Sequence, residues 1–347
     1  MKERMIRMPK LDIIVTHYNE PWRDGQKFFD MLALQRGVNI DDYRVIFIQD
    51  GTGSPFKPMV MLRKYPFTIA KYEISHGGVS VARNMGMRMS GADWVMFCDF
   101  DDMLYSCDSL HRILTSIDQA GDKADLLWAP FWMEQYDRKG VFHKTLKEWN
   151  SIFNHGKVYR LRFLRENHIS FEPSISYSED ALFNATVCMC ISPERIARIP
   201  ETTYMWCHRQ ESLSSSADGQ AQRNNDLYTK RVLLCEEYMK RGNAYEADCA
   251  AARAILDYYW ELAGTDHPPA GATAEEWNDR VRFFFRQYPG WSKISTRDGD
   301  KLCDVARDEA FHKGFFKIGM PTVTEWLSNL YMKEETADEH TDHPYSP

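Results

Sequence analysis

Through the first two hundred residues, short apolar runs alternate with stretches whose apolar positions recur every three or four residues. Leu11–Val15 is an apolar run flanked by polar residues, the mark of a strand buried on both faces. Trp22–Arg36 carries Phe28, Phe29 and Leu32 at helical spacing, and Tyr43–Ile48 is a second buried strand ended by Gln49-Asp50-Gly51. Phe67–Ile74 predicts a third strand, Ser80–Met89 a short helix and Trp94–Cys98 a fourth strand. Leu110–Gln119 predicts a helix and Leu126–Met133 a fifth strand. Strands alternating with helices imply an α/β class with a doubly wound, mostly parallel sheet, whose ligand site lies beyond the carboxyl ends of the strands. The polar clusters fall at such ends: Thr16–Glu20, Asp50-Gly51, His76-Gly77-Gly78 and Asp99–Asp102.

Past about residue 220 the pattern turns wholly helical. Leu227, Arg231, Leu234 and Tyr238 share one helical face, as do Ala251, Ile255, Tyr258 and Leu262. Pro268–Thr273 reads as a linker, and helices are predicted over Ala274–Gln287, Lys301–Phe311 and Thr322–Lys333. The expected organisation is a catalytic domain over 1–219, an all-helical C-terminal domain over 220–333 that could support homo-oligomers, and a disordered tail over 334–347.

With 347 residues, 44% of them hydrophobic, the chain can bury a substantial core. Its formal charge of −7 argues against whole-surface adhesion to nucleic acid or anionic membrane. No run approaches the roughly 18 apolar residues of a membrane span, and Leu11–Val15 is too short for a signal-peptide core. The eight cysteines are scattered, without a Cys-x-x-Cys pair, which predicts buried thiols in a reducing compartment. The expected location is cytoplasmic.

Three acids crowd Asp99–Asp102. If the strand continues, Asp99 and Asp101 point to one face and Asp102 to the other, and two oxygens on one side can hold Mg²⁺ or Mn²⁺. The bland alternative is a solvated acidic turn. Glu179-Asp180 reads either as a helix N-terminus or as a base that deprotonates an acceptor hydroxyl. His208-Arg209, before Ser212–Ser216, is either a surface loop or a grip on a diphosphate.

Read together, THYNE, IQDGT, HGGVSVARNMGM, CDFDD, GKVYRLRFLRENHISF, YSEDALF and YMWCHRQESLSSS resemble the inverting family 2 glycosyltransferases, over about residues 10–216. The resemblance implies the GT-A fold, a nucleotide-diphosphate sugar donor (usually UDP-linked) and a divalent metal at a DXD motif. Thr16, Tyr18 and Glu20 would line the nucleoside pocket, with Tyr18 against the base and Asp50 on its edge. Gly78, Arg83 and Asn84 would close the nucleotide and diphosphate side. Asp99 would contact ribose or metal, and Asp101 would be the direct metal ligand. His208 and Arg209 would meet the metal and diphosphate. Asp180 would be the general base, supported by Glu179. The chain departs from the family in carrying His17 where proline often precedes the tyrosine.

Between Arg138 and Arg165 eight basic residues (Arg138, Lys139, Lys144, Lys147, Lys157, Arg160, Arg162, Arg165) face one acid, Glu148. This local excess suggests an anionic acceptor such as a phosphopolyol, an anionic glycan or a nucleic acid. Two other readings share the same acids. A metal-dependent nucleotidyltransferase would be expected to carry a basic phosphate loop after the first strand, where Thr16–Glu20 is acidic and aromatic. A non-catalytic nucleotide-sugar or glycan-binding protein need not keep Asp99, Asp101, Asp180 and Arg209 together.

Overall fold

The computed structural model describes residues 8–51, 62–137, 139–209, 218–263 and 272–293, with 322, 323, 325–327 and 329 near the C-terminus. The expected helix over 301–311, the tail over 334–347, Arg138 and the serines of 212–216 lie outside the described residues. The chain divides into two compact units, Met1–Ser212 and Leu213–Pro347.

The first unit opens with β1 (Leu11–His17), α1 (Trp22–Ala33), β2 (Tyr43–Asp50), β3 (Ile69–Ile74), α2 (Val79–Met89) and β4 (Trp94–Asp99). It continues with β5 (Met103–Leu104), α3 (Ser109–Ala120), β6 (Leu126–Trp128), β7 (Phe131–Tyr136), β8 (Phe142–Lys147) and β9 (Lys157–Arg160). α4 (Leu161–Glu166), α5 (Glu179–Cys190), β10 (Ile196–Arg198) and β11 (Tyr204–Trp206) complete it. The main sheet has the order β10-β6-β9-β4-β1-β2-β3, with β9 alone antiparallel to its neighbours. This is a GT-A-like α/β fold with a mixed, mostly parallel sheet.

Side-chain alternation covers both faces of the sheet. Ile13, Val15, Val45, Phe47 and Met96 join Phe28 and Phe29 of α1 and Ile113 of α3 on one side. Ile14, Ile46, Ile48 and Phe97 join Ala82 of α2 and Phe183 and Val187 of α5 on the other. Asp12 interrupts the apolar run of β1 without disturbing it. Its buried carboxylate accepts a two-pronged hydrogen bond from Arg44 at 2.8 and 2.7 Å and another from the Ser90 hydroxyl at 2.7 Å.

The predicted strand Leu126–Met133 is two strands. Pro130 has no N–H for a ladder, and the chain leaves the main sheet there to start β7 in a second sheet, ordered β5-β11-β7-β8. The break is held by Gly156, whose carbonyl accepts from Ala129 N–H at 2.7 Å.

In the second unit, α6 (Asp218–Lys240), α7 (Ala244–Ala263) and α8 (Ala274–Gln287) contribute to a core of their own, with α8 started by a capping box between Thr273 and Glu276. α7 buries Ala251, Ile255 and Tyr258 as expected. α6 instead presents Tyr228, Val232, Cys235 and Tyr238 to that core, one position on from much of the expected face, because Arg231 is engaged by Asp257 at 2.9 Å and by the Tyr258 ring. Among the described residues no helix is long and apolar enough to cross a membrane. None of the seven described cysteines forms a disulfide.

Candidate active site

The pairing register brings the strand ends to one edge: Thr16 lies opposite Asp99 and Ile48, His17 opposite Gln49, and Asp50 opposite Ile74. Beyond β3 the chain turns through His76-Gly77-Gly78 into α2. The buried Asp50 carboxylate accepts from Gly77 N–H at 2.8 Å and Gly78 N–H at 2.9 Å, and contacts His76 Nδ1 at 3.0 Å. Gly78 has φ +86°, a conformation open to glycine at little strain, so both amides can face one carboxylate. His76 stacks on the exposed Tyr18 ring, 4.1 Å between centroids and 17° between planes. Glu20 accepts from Tyr18 N–H at 2.8 Å. The unusual His17 is buried, bridging the Gln49 side-chain oxygen and the Glu20 carbonyl at 2.8 Å each, and so supports the loop where the family often has proline.

The acidic run does not continue as a strand. β4 ends at Asp99, Phe100 turns into the core, and Asp102 N–H reaches back to the Asp99 carbonyl at 3.2 Å. Asp102 therefore folds towards Asp99 instead of pointing to the opposite face. It is fully buried, accepting from the Tyr204 hydroxyl at 2.6 Å and Cys207 N–H at 2.8 Å. Asp101 is left facing Arg209, whose Nε is 3.1 Å from its Oδ2; Glu20 is 3.9 Å from the same guanidinium.

Arg83 joins the two halves of the site. From α2 its guanidinium donates to Asp99 at 2.7 Å and to Glu179 at 2.6 Å. Burial would raise the Asp99 carboxyl, yet Arg83 holds it below its ordinary range. Ser178, just ahead of α5, has φ +65°, a left-handed conformation uncommon for serine, and makes no side-chain cap. The pair Glu179-Asp180 thus opens a helix without an ordinary cap. Burial and then the neighbouring Glu179 push the Asp180 carboxyl up to about 7, with Arg83 pulling the other way.

Besides Asp50, three expected site residues have duties beyond or apart from a ligand. Asn84 spends its side-chain amide on Phe171, donating to its carbonyl at 2.8 Å and accepting its N–H at 2.9 Å. Arg83 is committed to its two carboxylates. His208 packs its ring on Tyr136, 4.9 Å between centroids, and donates its N–H to Glu134 at 3.3 Å. The expected trio Asp99, Asp101 and His208 is not gathered. The group able to hold a metal among the described residues is Asp99, Asp102 and His155, whose donor atoms lie within 4.8 Å of one another. His155 is 7% exposed, stacks on Tyr204 and has no hydrogen-bond partner for Nδ1, which lies 3.9 Å from Asp102. Burial, Asp99 and Glu20 together push Asp101 up to about 6 against the pull of Arg209. Crowded carboxylates beside an unpartnered imidazole nitrogen suit a divalent cation.

Sequence reasoning passed over His155 because a lone histidine before Gly-Lys looks like part of a basic stretch. Part of that stretch is structural. Lys157 is buried, donates to the carbonyls of Asn150 (2.7 Å) and Phe153, and is pushed down to about 7 by burial while Asp180 holds it up. Arg160 donates to the Ala124 carbonyl at 2.9 Å and covers the Trp94 ring at 4.5 Å. Arg165 donates to the carbonyls of Met87 and Ser90. Lys139 and Lys144 remain exposed, and Lys147 is half-buried.

Residues 12–175 match the profile of glycosyl transferase family 2. The chain is similar to the poly(ribitol-phosphate) beta-N-acetylglucosaminyltransferase TarP of Staphylococcus aureus, with 26% identity over 199 residues, covering 52% of this chain and 58% of TarP. Its similarity to TarS of the same organism is 24% over 219 residues, covering 59% of this chain and 36% of that protein. The chain thus spans less than two thirds of these relatives. Its fold is similar to that of TarS 1-349 from S. aureus, with a TM-score of 0.61 at 17% identity, covering 88% of each chain. A second crystal structure of TarS 1-349, in complex with UDP-GlcNAc, gives 0.61 at 18% identity over the same share of each.

Proposed function

Residues 12–175 belong to glycosyl transferase family 2, and from that premise we propose that the chain moves a sugar from a UDP-linked donor to a hydroxyl of a polyol-phosphate acceptor, inverting the anomeric centre. The observation that carries the reading is the Arg83 bridge. One buried guanidinium ties Asp99, at the strand edge expected to take the donor, to Glu179 beside Asp180. Donor-side and base-side acids from distant parts of the chain are thereby held in one site.

The uracil ring would lie against Tyr18, with Thr16 and Glu20 around the nucleoside; Asp50 would act by holding the Gly77-Gly78 turn and Arg83 by fixing Asp99. Asn84 would act by holding the Phe171 segment in place. Asp99, with Asp102 and His155 gathered beside it, would hold Mn²⁺ or Mg²⁺ in place of the expected trio with His208, and Asp101 would stand next to that group. When bound, the cation neutralises charge growing on the departing diphosphate. Arg209, beside Asp101, would add positive charge for the same diphosphate. Asp180, near neutrality in its proton affinity, takes the proton of the acceptor hydroxyl. The acceptor oxygen forms a bond to the anomeric carbon as the carbon–oxygen bond to the diphosphate breaks. The electron pair leaves with UDP, and the proton stays on Asp180. The polyol-phosphate acceptor is supported by the names of TarP and TarS.

Calorimetric titration of UDP with and without Mn²⁺, followed by a turnover screen across UDP-sugars beginning with UDP-N-acetylglucosamine, tests the reading. Metal-dependent UDP binding with transfer to a ribitol-phosphate oligomer is expected. Binding that ignores Mn²⁺, or UDP binding without turnover of any donor, overturns it.

A further inference from the structure

The β7–β8 hairpin carries two faces of opposite character. Directly opposed residues of an antiparallel pair share a face, and faces alternate along each strand. Phe131 opposite Lys147, Met133 opposite Thr145 and Gln135 opposite His143 make one face, with Phe131 buried in the main core. Trp132 opposite Leu146, Glu134 opposite Lys144 and Tyr136 opposite Phe142 make the other. That second face is open. Tyr136 is 50% exposed, Phe142 45% and Leu146 37%, and Tyr105, 42% exposed, extends it from beside Trp132. Tyr136 and Phe142 stand edge to face at 5.3 Å.

This face is joined to the site. Glu134 takes Lys144 Nζ at 3.3 Å on one oxygen and His208 N–H at 3.3 Å on the other, and Tyr136 packs on the His208 ring. The next residue, Arg209, meets Asp101. Exposed aromatic side chains clustered beside a site are suited to binding a ligand. Flat rings offer apolar contact to the C–H bonds of a polyol, and Lys144, 47% exposed and shared with Glu134, has ammonium hydrogens left to donate to a phosphate.

We propose that the outer face of the β7–β8 hairpin, formed by Trp132, Tyr136, Phe142, Lys144 and Leu146, docks the polyol-phosphate acceptor chain beside the transfer site. The inference rests on the acceptor class named above. It also divides the basic residues by face: Lys144 belongs to the docking surface, and Lys147, behind it against Phe131, does not.

Equilibrium binding of a synthetic ribitol-phosphate oligomer to the full chain, measured by calorimetry, tests this without needing turnover. Phe142→Ala and Lys144→Met are expected to weaken binding about fivefold or more. His143→Ala, on the opposite face of the same exposed edge strand, should leave it unchanged. A phosphate-free ribitol oligomer should feel Phe142→Ala and ignore Lys144→Met. Equal affinities for the parent and Phe142→Ala, or a parent that does not bind the oligomer, would overturn the proposal. So would sedimentation in which Phe142→Ala merely converts a self-associated parent to monomer. Failure of UDP-sugar turnover alone would strike the transferase reading, whereas failure of face-selective binding strikes only the docking surface.

Discussion

Asp180 is crowded by burial and by Glu179, and its proton affinity near 7 has two consequences. A base works in its charged form, so the transfer rate at saturating substrates should climb as pH rises through about 7 and level off above it. Asp180→Asn should remove that limb and lower the rate by about 10²- to 10⁴-fold. Stability moves the opposite way. The unfolded chain releases this proton near 3.9 and the native chain near 7, so between those values the native state holds more protons and loses stability as pH rises. Asp180→Asn should therefore melt above the parent at pH 8 and close to it at pH 4 by calorimetry. A variant that melts lower at both pH values would show that the carboxylate stabilises the fold instead of straining it.

At the scale of elements, the segment from Asn150 to Arg160 shapes the site as much as the strand ends do. Gly156 has φ +73°, and a Cβ there would stand 2.4 Å from the Ala129 carbonyl oxygen, a main-chain atom fixed by the break before Pro130. Gly156→Ala should cost on the order of 2 kcal/mol or more, read as a lower urea midpoint with an unchanged slope. The element also marks where periodicity stops being informative. β1, β2 and β4 were legible because burial on both faces leaves a nearly continuous apolar run. β9 was not, since Lys157 and Arg160 hide their charges by donating to loop carbonyls and covering Trp128 and Trp94. The split between β6 and β7 was obscured by apolar residues on both sides of Pro130.

For the whole molecule, the division of roles predicts a linkage between ligand and fold. A ligand that binds only the native state at a hundred times its dissociation constant adds about 2.7 kcal/mol. UDP with Mn²⁺ should accordingly raise the melting temperature of the parent, and neither alone should match the pair. Asp180→Asn should keep that rise, because its proposed duty concerns the acceptor proton. Asp101→Ala should lose most of it. Equal loss in both variants would contradict separate donor-side and base-side acids.

The sequence by itself determined the alternation of strands and helices, the gathering of polar groups at strand ends, and the order of motifs that marks a family 2 glycosyltransferase. These are local signals, repeated every two or four residues or written in adjacent positions. Tertiary structure alone decided that Asp102 folds back onto Asp99, that His155 joins them while His208 turns to Tyr136, and that Lys157 and Arg160 serve the interior while Lys144 stays on the open face. The buried outcomes depend on a partner far along the chain: Tyr204 for Asp102 and Trp94 for Arg160. A carboxylate or an ammonium carries no mark of whether such a partner will neutralise it or leave it to a ligand, and that choice is made only when the sheet brings the partners together.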